Sequence, residues 1–199
     1  MSLETTATDR APSPLGPGTL VLVVGASGVG KDALIAGARA ALAQDPRFAF
    51  PERAVTRPPN SAESHASLSD AEFTRAVEEG RFALTWAAHG LRYGVPASID
   101  GLIADGRVVV VNASRTIGEA ARRRYARVCF VLIECPLDVR TARLAGRGRE
   151  SAASAEARLM RNVPTFDPAE ADVRIDNSGP LAVGVHALTE FLRSLPAKA

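Results

Sequence analysis

Lysine is nearly missing from this chain. Of its 24 cationic residues only Lys31 and Lys198 are lysine, and the others are all arginine. Lys198 is the penultimate residue, so the folded part keeps a single flexible point charge among many planar guanidiniums. Cysteine is just as scarce. Cys129 and Cys135 stand six apart in an apolar, strand-like run. That spacing points both to one side of a strand, too far apart to bridge, and reads as two buried free thiols without a redox or metal role. Excess charge is missing too: a net +2 gives no general attraction to nucleic acid or membrane. The longest apolar stretches, "LVLVV" and "VVVV", are far too short to span a bilayer, and the N-terminus has no basic segment followed by an apolar run. A cytoplasmic chain is the expectation.

What is present is enough apolar residue, 46% of 199, for one substantial core. Residues 1–18 mix Pro, Gly, Ser and Thr without periodicity and read as a flexible tail, leaving 19–199 as one domain. From there β-branched runs alternate with helical patterns. "TLVLVV" precedes an Ala-rich helix to about residue 44, then a short strand near "FAFPERAV" and the helix "SDAEFTRAVEEG", for which Ser69 and Glu72 make a capping box. "RFALTWAA", a helix near 96–105, "RVVVVN", an Arg-rich helix, "RVCFVLIEC" and "PLDVRTARLAG" follow. A helix around 154–162, the strand "ADVRID" and a last helix to about 195 complete the order. Wholly apolar strands separated by helices predict an α/β fold with a parallel sheet covered on both faces. Residues 57–93 break the rhythm and are the candidate substrate-binding insertion.

The one informative lysine closes "GASGVGK", in which Gly25, Ala26, Ser27, Gly28, Val29, Gly30 and Lys31 satisfy G-x(4)-G-K between an apolar strand and a helix. Such a loop turns its N–H groups inward, the helix start adds positive potential, and the ammonium reaches the β and γ phosphates of a nucleotide, here ATP. Asp32 follows, where such loops place a Ser or Thr hydroxyl. As an acid in the first helical turn it complements the helix dipole, for about 0.3 to 1 kcal/mol. As a hard oxygen donor it is equally suited to the Mg2+ of Mg-ATP. "RVVVVNASR" favours the second role, because its strand ends in Asn112 where many phosphate-loop enzymes carry a metal-holding Asp.

The loop, "VTRP" at 55–58, "LSDAEF" at 68–73, "FALTWAAHGLRYGVP" at 82–96 and "RLAGRGRES" at 143–151 together resemble the guanylate kinase superfamily over residues 19–195. The resemblance implies a P-loop, nucleotide-kinase-like five-stranded core, a substrate-binding insertion and an arginine-bearing lid, here 147–157. It also implies where this chain departs. The Tyr and the carboxylate with which guanylate kinases read guanine are replaced, His65 lying near the first and Thr85 standing at the second. A site without that acceptor loses orders of magnitude in base discrimination. The pattern G-x-S-G-x-G-K-D, with "TRP", "HGLRYG.P" and "VNASR", is similar to the ribose 1,5-bisphosphate phosphokinases of phosphonate breakdown, in which Asp32 is usual. By that resemblance ATP phosphorylates ribose 1,5-bisphosphate, a small-molecule partner, to 5-phosphoribosyl 1-diphosphate. Arg57, Glu63, His65, Tyr93, Ser114 and Arg115 are then the substrate-binding set, and a homodimer stays open.

Arg140, Arg143 and Arg147 share a helical face by their spacing, Arg149 lies just beyond, and Arg158 and Arg161 pair on the next helix. The group reads either as a solvated basic surface facing Asp138, Glu150 and Glu156 or as a phosphate clamp. The match to the lid motif selects Arg147 and Arg149, then Arg158, as catalytic partners of Lys31, ahead of Arg140, Arg143 and Arg161. Trp86 and Tyr93 read equally as packing, Glu52 and Glu63 equally as surface or sugar-hydroxyl ligands, and His89 as structural.

Overall fold

The computed structural model describes residues 13–57, 66–88, 90–145 and 167–196. β1 (Thr19–Val24) is buried at every position, as its unbroken β-branched run requires of a central strand. It lies between β7 (Val108–Asn112) and β8 (Val128–Glu134), and the full order β2-β7-β1-β8-β9 is parallel throughout, with β2 at Phe48–Ala49 and β9 at Val173–Asp176. The α/β fold class expected from the sequence is therefore the one found.

Strand alternation divides the core into two. Val21, Val23, Val110, Val131 and Ile133 face α1 (Lys31–Ala41) and α6 (Leu181–Ser194), which contribute Leu34, Ala38, Leu188 and Leu192. Leu20, Leu22, Val109, Val111 and Phe130 face the other way, toward α3 (Ile99–Ala104) and α4 (Gly118–Arg124). Among the described residues α1 and α6 cover one face and α3 and α4 the other, and the carboxyl ends of β1, β7 and β8 lie where open α/β sheets bind ligands.

A second sheet, ordered β4-β3-β6-β5, stands between β2 and α3 in the chain. Its strands are β3 (Ala54–Val55), β4 (Ala66–Ser67), and the antiparallel pair β5 (Phe82–Ala88) and β6 (Leu91–Pro96). α2 (Asp70–Glu78) starts with the expected capping box: Ser69 Oγ accepts from Glu72 N–H at 3.3 Å, and Glu72 Oε2 accepts from Ser69 N–H at 2.7 Å. Its Phe73 stacks on Phe82 at 4.8 Å, fixing helix to sheet. Leu84 and Val95 join the α3 side of the main core and fasten this sheet to it.

Three expectations need correction. The single strand near "FAFPERAV" is two, β2 in the main sheet and β3 in the second, because Pro51 between them has no N–H to continue a ladder. Residues 1–18 are not tail throughout: Leu15 N–H donates to Arg124 O at 2.8 Å and its carbonyl accepts from Ala126 N–H at 2.7 Å. One bridge of this kind leaves no periodicity to read. The cysteines do not share a strand, since Cys135 lies past the end of β8, and both are half-buried. Burial, with the Asp172 charge, pushes the Cys129 thiol up to about 11, and both remain free. The helix expected at 154–162 lies outside the described residues. No described helix is long and apolar enough to cross a membrane.

α3 and α4 are tied by one polar cluster. Asp100 Oδ1 accepts from the buried Tyr125 hydroxyl at 2.6 Å and from Arg124 Nε at 3.1 Å. Burial works to raise the Asp100 carboxyl, but the hydrogen bonds of Arg124 and Tyr125 and the Arg124 charge outweigh it and hold it below the usual range. Asp100→Ala leaves the Tyr125 hydroxyl buried without this acceptor and is expected to cost about 1 to 3 kcal/mol in urea unfolding at pH 7. Because the folded-state carboxyl is depressed, its charge contribution is complete above the unfolded value of about 4 and fades as pH falls through the folded value. The gap between the two proteins should narrow on acidification below about pH 4; a gap constant from pH 7 to pH 3 would refute the charge contribution.

Candidate functional site

The loop after β1 is shaped by its glycines. Gly25, Gly28 and Gly30 have φ of 147°, 83° and 96°. A Cβ at Gly25 would lie 2.4 Å from Ile133 O, and one at Gly30 would lie 2.5 Å from Asn177 Nδ2, so both positions need glycine for space as well as conformation. Val29 inverts the chain's usual loop chemistry by plugging into the core at 2% exposure. No side chain caps α1 at Gly30, which leaves the first-turn N–H groups available to an anion. The Lys31 ammonium curls over the loop, donating to Gly25 O at 2.9 Å and Ala26 O at 3.0 Å.

The loop is held from behind by a residue the sequence reading missed. Asn177, 3% exposed at the end of β9, donates from Nδ2 to Val29 O at 2.8 Å, and its N–H donates to Glu134 O at 2.8 Å. It thereby ties the loop to two strand ends. The available signal was a polar amide directly after a short, half-exposed strand, but only strand order reveals what it anchors.

At the other wall, strand order brings Asp32 and Asn112 together. Asn112 ends β7 beside Val23 of β1, and its Nδ2 donates to Asp32 Oδ1 at 2.7 Å. Arg53 reaches the same spot from the chain between β2 and β3. Its Nη2 lies 3.6 Å from Asp32 Oδ1, its Nη1 donates to Asn112 O at 3.3 Å, and its guanidinium lies 5.5 Å from the Tyr93 ring centre. Nothing in the sequence singles Arg53 out among so many arginines. A cavity of about 260 Å³ opens here, walled by Asp32, Arg39, Glu52 and Arg53 and floored by Val110 and Asn112.

These groups fit a divalent cation. Asn112 Oδ1 is buried and accepts no hydrogen bond among the described residues, and it stands on the amide that already touches the Asp32 carboxylate. Two hard oxygens and few other protein donors match a Mg2+ ion that takes its remaining ligands from water and phosphate. Asp32 also occupies the first turn of α1, so the helix-dipole contribution acts in either role.

The remaining expected residues distribute around this centre. Arg57 follows β3, where Thr56 is fixed by Arg92: Thr56 N–H donates to Arg92 O at 3.0 Å and Arg92 N–H donates to Thr56 Oγ1 at 2.9 Å. Tyr93 faces Trp86 across the hairpin, rings 5.1 Å apart and 6° from parallel, so it packs the sheet and backs Arg53 at once. Ser114 Oγ caps the short 3-10 turn Arg115–Ile117. Burial lowers the Arg115 pKa, the Glu134 charge opposing and the Arg140 charge reinforcing. From α5 (Leu137–Ala145), Arg140 Nε donates to Ser27 O at 3.2 Å and Arg143 Nη1 to Val29 O at 3.5 Å. The arginines ranked lower from the sequence thus line the loop. Glu63, His65, His89, Arg147, Arg149, Arg158 and Arg161 lie outside the described residues.

Comparison with known proteins adds a second line. No family model matches the chain. It is 46% identical over 183 residues to a ribose 1,5-bisphosphate phosphokinase PhnN of Brucella melitensis biotype 2, covering 91% of this chain and 95% of that one. It is 48% identical over 178 residues to the protein of the same name from Acidiphilium cryptum, covering 88% and 93%. Among solved structures, guanylate kinase from Anaplasma phagocytophilum superposes with a TM-score of 0.62 at 17% identity, covering 90% of this chain and 87% of that chain, a likeness of fold alone. Sequence identity at this level over nine-tenths of the length, on a kinase-like core with its phosphate loop intact, places the chain in the ribose 1,5-bisphosphate phosphokinase family.

Proposed function

We propose that this protein transfers the γ-phosphoryl group of ATP to the 1-phosphate of α-D-ribose 1,5-bisphosphate, giving ADP and 5-phospho-α-D-ribose 1-diphosphate during phosphonate breakdown in the cytoplasm. The observation that carries this reading is the 46% identity, over 91% of the chain, to a protein bearing that activity's name. The site supports it. The acceptor oxygen belongs to a phosphate and is already anionic, so the bond to Pγ forms as the β–γ bridge breaks without a side chain taking a proton. The work left to the protein is alignment and charge neutralisation.

Lys31, the α1 N-terminus, Arg140 and Arg143 surround the loop and supply the positive charge there. The lid residues Arg147, Arg149 and Arg158 complete the clamp in this reading. Asp32 and Asn112 Oδ1 would hold Mg2+, which when bound would neutralise charge on the nucleotide phosphates. Arg57, Tyr93, Glu63 and His65 then serve the acceptor, and Ser114 and Arg115 the far rim of the cleft. Thr85, exposed on β5 opposite Gly94, offers no carboxylate to read guanine, which disfavours a nucleotide acceptor.

Two experiments test the proposal. ADP formation with ribose 1,5-bisphosphate, GMP and AMP as acceptors should favour the first by about a hundredfold or more in kcat/KM. Turnover confined to GMP would make the protein a nucleotide kinase, and none with any acceptor a binding module. Asp32→Ala should raise the Mg2+ concentration for half-maximal activity by about tenfold or abolish transfer, with the far-UV circular dichroism unchanged. An unchanged Mg2+ dependence would leave Asp32 only its effect on the helix dipole.

A further inference from the structure

One peptide unit of the phosphate loop is not held in place by the loop's own backbone. Gly30, at φ 96° and ψ 19°, tolerates either sign of φ, so the local chain leaves the Val29–Gly30 peptide plane free to rotate. Its direction matters, because a trans peptide points its C=O and its N–H to opposite sides. The Val29 carbonyl turns toward the end of β9, which sends the Gly30 N–H the other way, at the start of α1 where an anion is favoured. A reversed plane would present a carbonyl dipole to that anion.

We propose that Asn177 is a positioning residue that locks this peptide plane, so that the Gly30 N–H meets a nucleotide phosphate, and that the lock persists when Arg143 leaves the loop. The inference rests on the reading of the loop as an ATP site and adds a residue outside loop and lid. The Asn177 side chain makes one bond and leaves its other arm idle. Its Nδ2 donates to Val29 O at 2.8 Å, while its buried Oδ1 accepts no hydrogen bond among the described residues. A buried oxygen in that state is unfavourable, and an apolar side chain of similar size would avoid it, so the useful part of the amide is its donor. Room for it comes from Gly184 inside α6, where a Cβ would lie 2.7 Å from Leu34 Cδ2 and 3.0 Å from Asn177 Oδ1. Glycine is a poor residue for a helix interior, and here it spares the amide. The main chain aims the side chain, since Asn177 N–H donates to Glu134 O at 2.8 Å and continues the β8–β9 pairing past Asp176.

Val29 O has a second donor, Arg143 Nη1, at the long distance of 3.5 Å. The two donors differ in what they can do next. Arg143 is a half-buried cation on α5, for which a phosphate oxygen is a stronger acceptor than a carbonyl. Asn177 is neutral and, at 3% exposure, enclosed. When Arg143 moves to an incoming phosphate, the Asn177 bond still holds the carbonyl, and the peptide plane stays where it was. A donor fixed in this way serves bound nucleotide and transferring phosphoryl group alike, so its loss falls on nucleotide affinity more than on kcat.

The test uses the full chain and ADP, at temperatures where thermal unfolding shows each variant folded. Calorimetry gives the affinity. Valine 13C′ with glycine 15N labelling leaves amide signals from three Val–Gly peptides, at Gly25, Gly30 and Gly184, and Val29→Ile removes that of Gly30. Asn177→Ala should bind ADP about tenfold more weakly and raise the ATP KM by a similar factor, with the acceptor KM within about twofold of the parent. The Gly30 amide, shifted by ADP in the parent, should shift less in the variant at saturating ADP. Asn177→Asp keeps the volume but turns the donor into an acceptor, and should bind ADP at least as weakly as Asn177→Ala. ADP affinity within about twofold of the parent in either variant, or an acceptor KM raised as much as that of ATP, overturns the inference. A parent chain that does not bind ADP would overturn the underlying reading of the loop, and the inference with it.

Discussion

The Asp32 carboxylate is the point at which three parts of the chain are forced to agree. It sits on the first turn of α1, is bonded at 2.7 Å by the amide that ends β7, and faces a guanidinium delivered by the crossing between the two sheets. None of these groups is near another in sequence. The parallel pairing of β1 with β7 puts Asn112 beside the loop, and the break at Pro51 sends Arg53 across the same gap. A carboxylate where the loop pattern more often has a hydroxyl is therefore neither isolated nor accidental. It is compensated on both sides, by a hydrogen-bond donor and by a cation.

Opposite this wall the loop is fixed by uncharged contacts. Val29 is buried among α1 and α6 residues, its carbonyl takes the Asn177 amide, and Gly25 and Gly30 have no room for a side chain. The result is a loop held from several sides with cations on its rim, Lys31, Arg140 and Arg143, each donating to loop carbonyls. Phosphate oxygens are stronger acceptors than carbonyls for such donors. A nucleotide bound here, as proposed, would exchange partners for groups already assembled, which limits the reorganisation that binding requires. The same economy runs through the proposed chemistry, in which the acceptor arrives already charged and the protein supplies field and alignment.

Much of the fold was legible because its signals are local. Six consecutive apolar residues in β1, the glycine spacing of the loop and the Ser69–Glu72 capping box each depend on neighbours within a few positions. The parallel sheet followed from the alternation of such elements. What was not legible depends on topology. Arg53 and Asn177 acquire meaning only from where β3 and β9 fall, and Leu15 only from the end of α4. Arg140 and Arg143 were seen to share a helical face, but that the face turns to Ser27 and Val29 is set by the packing of α5. Asp32 and Asn112 were compared by chemical reasoning alone, which did not foresee that the Asn112 amide bonds the Asp32 carboxylate.

The account stands on the nature of the atom that receives the phosphoryl group. Phosphorus NMR of the reaction of purified protein with ATP, Mg2+ and ribose 1,5-bisphosphate reads that atom directly. The account predicts that the 1-phosphate signal is replaced by the coupled pair of doublets of a sugar diphosphate, while the 5-phosphate signal persists and ATP becomes ADP. Inorganic phosphate as the sole new product, or a new phosphate monoester in place of a diphosphate, would contradict it.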